Sequence, residues 1–82
     1  MPEIKKISPK LRVLVELALA DLLVSPSKPS VVLPDPFDHF EVWRQSHLDL
    51  TAVKEEQLVD NYQVGAEQFV LIWNKPEEPH HG

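Results

Sequence analysis

The stretch from Leu11 to Val24 constrains this chain most. Eleven of its fourteen residues are apolar, and only Arg12, Glu16 and Asp21 interrupt it. A helix that is apolar nearly all round must be covered on most of its sides. A chain of 82 residues is one domain and has little interior to offer. The chain has no cysteine, so disulfides cannot make up the deficit, and the commonest structural zinc sites and thiol nucleophiles are excluded with them. Association with a second copy or another protein is the remaining remedy.

Local signals bound this helix well. Ser8-Pro9 is a start: the serine caps free amides, and proline at the first helical position has no amide to satisfy. Ser25-Pro26 is a stop. Arg12 and Glu16 lie one turn apart and mark a single wet strip. Leu11, Val15, Ala18 and Leu22 form one apolar row, which Leu14, Leu17 and Val24 widen. Leu11, Leu14, Val15, Ala18 and Leu22, together with Trp43, are the expected interaction seam.

Beyond the helix, four of the eight prolines fall between positions 26 and 36. They make a stiff crossover in which Val31-Val32-Leu33 is extended. Asp35-Pro36 repeats the start signal, and Phe37, Phe40, Trp43, Arg44 and His47 follow at helical spacing, which predicts a helix over 36–47. Asp49-Leu50-Thr51 starts another, predicted over 52–62. A turn is expected at Gly65. Phe69 to Trp73 reads as helix, with strand as the alternative. The expected fold is a mostly α, small bundle of three to four helices with a Pro-rich crossover. The alternative is α+β, with a short strand at 31–33 pairing with 69–73. The expected core is Leu14, Val15, Ala18, Leu22, Phe40, Trp43, Leu58, Tyr62 and Phe69. Residues 1–82 form a single domain, with 1–7 and 75–82 as flexible tails.

Leu58, Tyr62, Val64, Phe69 and Ile72 fall at the apolar positions of a two-helix corner. In that spacing, residues 58–73 resemble the helix-turn-helix of phage-repressor-like regulators. The resemblance implies DNA binding, with contacts from Gln68 and from the basic end at Lys5, Lys6, Lys10 and Arg12. The match departs from the pattern in its chemistry. No residue from Ala66 to Trp73 is basic, and Glu67 would repel phosphate.

Charge points the same way. Residues 1–48 are neutral, and the net charge of -5 sits in residues 49–82. Such a surface disfavours nucleic acid, whose binding rests on phosphate neutralisation. It also admits an acidic inhibitor of a basic partner protein. No Gly-rich phosphate loop or nucleophile elbow is present, and Glu55-Glu56 reads as a solvated helix face instead of an acid/base pair, so no enzyme and no cofactor is expected. His39 and His47 are eight apart, which does not suit a helical metal pair, and no metal is expected. His80-His81 belongs to the tail. The apolar run is too short and too charged for a transmembrane span or a signal peptide, so the expected location is cytoplasmic and no membrane partner is expected. The function expected is therefore a small non-enzymatic interaction or assembly protein, self-associating through the helix of residues 9–24. The helix-turn-helix regulator is the alternative and the acidic inhibitor the third.

Overall fold

The computed structural model describes residues 7–74. One helix, α1 (Pro9–Val24), is followed by four strands: β1 (Ser30–Val32), β2 (Phe40–Arg44), β3 (Leu58–Val64) and β4 (Glu67–Trp73). The strands form one antiparallel sheet in the order β1-β2-β4-β3. The class is α+β, which corrects the expectation of a mostly α bundle.

α1 has the ends its sequence signals require. Ser8 Oγ accepts from the Leu11 amide at 3.2 Å, and Pro9 opens the helix. At the far end the Ser25 amide donates to the Leu22 carbonyl at 3.3 Å, and Pro26 follows. Leu11, Val15, Ala18 and Leu22 point down onto the sheet. There they meet Leu33, Val42 of β2, and Phe69 and Leu71 of β4.

The helices expected over 36–47 and 52–62 do not form. The Asp35–Pro36 bond is cis, and a tight turn places the Phe37 amide on the Pro34 carbonyl at 2.8 Å. Phe40 to Arg44 then pairs on both sides, with β1 and with β4. Its alternation sends Phe40, Val42 and Arg44 toward α1, and Glu41 and Trp43 to the other face. Residues 45–57 carry three short 3-10 turns, Gln45–His47, Leu50–Ala52 and Glu55–Gln57, before β3 begins.

The pairing expected between 31–33 and 69–73 does not occur either, because β2 lies between β1 and β4. The helix-turn-helix over 58–73 is replaced by a β-hairpin. Val64 faces Glu67 across a two-residue turn, in which Gly65 takes φ 63°. A glycine with positive φ at the first central position suits a type II′ turn, the twist of which matches the flanking strands.

β4 explains the ambiguity of the Phe69–Trp73 run. It is a central strand with both faces covered, so its apolar residues are continuous instead of alternating. Phe69 and Leu71 face α1, while Val70 and Ile72 face away and are also buried. β2 and β3 both run antiparallel to β4, so the 45–57 connection must return along the sheet. It does so on the face opposite α1, over Val70.

Arg44 is the only buried charged residue among those described. It sits at the end of β2, beneath the last turn of α1. Its Nη2 donates to the Leu22 carbonyl at 2.7 Å and the Ser25 carbonyl at 3.0 Å. Its Nε donates to the Lys28 carbonyl at 3.1 Å, and its Nη1 pairs with the Glu67 carboxylate. The guanidinium carbon lies 5.6 Å from the centre of the Phe69 ring. One side chain thus gives the Leu22 and Ser25 carbonyls, which also accept from the Ser25 and Lys28 amides, a second and charged donor, and ties that end to two strands.

Candidate interaction surface

The sheet takes the Leu11/Val15/Ala18/Leu22 row of α1 and leaves the opposite row uncovered. Val13, Leu17, Ala20 and Val24 are all exposed, with 54%, 61% and 77% of Val13, Leu17 and Val24 open to solvent. Their spacing of four, three and four places them within an arc of about 60° at 100° per residue. That is the period of a helix–helix seam. Leu23, 45% exposed, flanks it. Scattered surface leucines need no explanation, but a continuous apolar row on one helix does.

The apolar surface continues sideways. A notch of about 170 Å³ lies between α1 and the second half of the crossover, walled by Leu14, Leu17 and Ala18 on one side and Val31, Leu33 and Pro34 on the other. Asp21 closes one end and is held by Lys28 at 3.1 Å.

The residues expected to form the seam fall elsewhere. Leu11, Val15, Ala18 and Leu22 are buried beneath α1, and Leu14 is half-buried against the same core. Trp43 is half-buried on the far face of the sheet. Among the expected core residues, Phe69 is fully buried, Phe40 and Tyr62 pack at its margin, and Leu58 is 38% exposed. Leu33, Val42 and Leu71 belong to the core and were not expected there. The outer row was readable in principle from its four-three-four spacing.

The basic end expected to contact DNA does not come together with Gln68. Lys10 and Arg12 are exposed on α1, Gln68 is exposed on β4 facing away from α1, and Lys5 and Lys6 lie outside the described residues. So do His80-His81 and the expected tails, except Ile7, which packs against the core. Among the described residues no cluster of histidine and carboxylate side chains could hold a metal ion. Among them, too, no helix is long and apolar enough to cross a membrane.

Two further carboxylates are engaged structurally. Glu41 accepts from Ser30 Oγ at 2.7 Å and Asn74 Nδ2 at 3.2 Å. Asp49 is held below the usual carboxylate range by the Thr51 hydroxyl at 2.6 Å and the Thr51 amide at 3.1 Å. On the face away from α1 an open groove of about 370 Å³ runs between Gln45, Leu50, Leu58, Asn61 and Val70.

Tyr62 lies where the wet strip of α1 passes the sheet. Burial pushes its phenol up to about 12, helped by the charge of Asp60 and a hydrogen bond with it, while Arg12 opposes the shift and Glu16 adds to it. A raised folded pKa means the folded state holds the proton longer than the unfolded one. The associated stability is complete below about pH 10 and is lost as pH rises toward 12. Tyr62 is the single tyrosine in the chain, so phenolate absorbance reads it alone. The expected midpoint is about 12 in the folded protein and about 10 in denaturant. Tyr62→Phe should flatten the alkaline loss of stability. Coincident midpoints would remove the buried phenol.

Set beside known protein families, curated proteins and solved structures, the chain matches none of them.

Proposed function

We propose that this protein is a small non-enzymatic assembly module that self-associates through the outer face of α1. The exposed row Val13-Leu17-Ala20-Val24 carries this reading. It has the spacing of a helix seam, belongs to the longest helix of the fold, and joins an apolar notch. A cysteine-free chain suits a reducing cytoplasm, where we place it.

The test is the solution mass of the parent protein and of Leu17→Glu by light scattering. The parent should be a dimer at micromolar concentration. Burying one leucine contributes about 1.5–3 kcal/mol, and a symmetric dimer buries it twice. Leu17→Glu should therefore weaken association by about a hundredfold or more. The variant should remain folded, because the site is exposed in the single chain. A parent that stays monomeric at that concentration rejects the proposal.

A further inference from the structure

From the residues along the outer row, and resting on the self-association proposed above, we infer that two copies pair antiparallel through α1, related by a twofold axis that passes between Leu17 and Ala20. The resulting dimer has four layers: sheet, helix, helix, sheet.

Side-chain size favours this direction. In an antiparallel pair centred between Leu17 and Ala20, each Leu17 faces the Ala20 of the other copy, and each Val13 faces a Val24. Large meets small at the centre, so the helices approach closely without a void, and valine meets valine at both ends. A parallel pair sets Leu17 against Leu17 and Ala20 against Ala20. The first contact holds the helices apart and the second leaves a gap.

Charge favours it as well. Lys10 lies three residues before Val13 and extends the outer row toward the helix start. A parallel pair would bring the two Lys10 ammonium groups together across the seam, next to two helix N-termini whose dipole ends are also positive. In the antiparallel pair each Lys10 lies beyond the end of the partner helix and remains in water. Antiparallel helix dipoles attract in addition.

The chain's lack of cysteine makes the direction directly readable. Val13→Cys and Val24→Cys are made separately, both at exposed sites, and each is confirmed dimeric by light scattering before oxidation. In the antiparallel pair the two copies of position 13 are about 16 Å apart along the axis, from eleven residues at 1.5 Å each, as are the two copies of position 24. Neither variant alone should form a disulfide-linked dimer. An equal mixture should form a mixed dimer, cross-linked between position 13 of one copy and position 24 of the other, seen by non-reducing electrophoresis and mass spectrometry. Self-linking of each variant alone, with no mixed species in the mixture, would establish a parallel pair and overturn this inference while leaving self-association intact. A dimeric protein that gives no cross-link in any combination would overturn it by placing the interface elsewhere. A parent that is monomeric removes both this inference and the proposed function.

Discussion

Arg44→Met is expected to destabilise the fold by about 3–4 kcal/mol, because three hydrogen bonds from a charged donor to backbone carbonyls are lost at once, each worth about 1.5–3 kcal/mol, and the burial of the methionine side chain offsets only part of this. Methionine fills a similar length but donates nothing. The Leu22, Ser25 and Lys28 carbonyls lose their guanidinium donors, and the Phe69 ring loses the cation above it. The loss concentrates at the end of α1, where the Leu22 and Ser25 carbonyls keep only their backbone donors, the Ser25 and Lys28 amides. Glu67 suffers less, because its side chain is 40% exposed and water can replace the arginine. Glu67→Gln keeps an oxygen acceptor for Nη1 and leaves the three carbonyl acceptors in place, so it should cost less, about 1–1.5 kcal/mol, the difference between a charge-paired and a singly charged hydrogen bond. Arg44→Lys should fall between the two, since an ammonium cannot reproduce the planar fork.

For a domain of this size total stability is about 4–12 kcal/mol. Arg44→Met therefore consumes much of the margin and lowers the melting temperature by about 12–30 °C. Chemical denaturation of the three variants checks the order Met, Lys, Gln. A methionine variant within about 1 kcal/mol of the parent would mean that the carbonyls find water as easily as they find Arg44.

Arg44 also shows what a sequence of this kind conceals. Three of its acceptors are backbone carbonyls 16 to 22 residues away, and no side-chain pattern announces them. The ends of α1 were legible because Ser8-Pro9 and Ser25-Pro26 act within one turn of themselves. Gly65 was legible for the same reason, as a turn that needs a positive φ. The strands were not. Phe37, Phe40, Trp43 and His47 sit three to four apart and fit a helix, yet Phe40-Glu41-Val42-Trp43-Arg44 also alternates, and the choice falls to β4, some thirty residues later. Local propensity is a weak guide when pairing on both sides of a strand settles the matter.

The same limit applied to the surface. The run from Leu11 to Val24 declares too much apolar area without saying which side the domain will cover. The two roles assigned to Val15, Ala18 and Leu22, core and seam, could not both hold for a single row. The sheet occupies that row, and the surplus passes to Val13, Leu17, Ala20 and Val24. The proposal of association therefore rests on Val13, Leu17, Ala20 and Val24 instead.

Phe69→Ala is expected to cost more than Arg44→Met, about 4–5 kcal/mol, since truncating a buried phenylalanine costs about 3–5 kcal/mol in transfer and cavity terms. Phe69 is fully buried in β4, with Arg44 opposite on β2 and Tyr62 opposite on β3. Loss of the cation–π contact adds about 0.5–2 kcal/mol. Phe69→Leu keeps most of the volume and should cost less than about 2 kcal/mol. Arg44 and Phe69 touch, so the double variant should be less destabilised than the sum of the singles by about 0.5–3 kcal/mol. A strictly additive pair would mean that the guanidinium gains nothing from the ring beneath it. The comparison with Leu17→Glu separates the two sides of α1. Phe69→Ala strikes the sheet on which the inner row rests, and should lower the melting temperature at every protein concentration. Leu17→Glu touches only the outer row. It should abolish the concentration dependence that dimerisation gives to the melting temperature and leave the fold of the single chain intact.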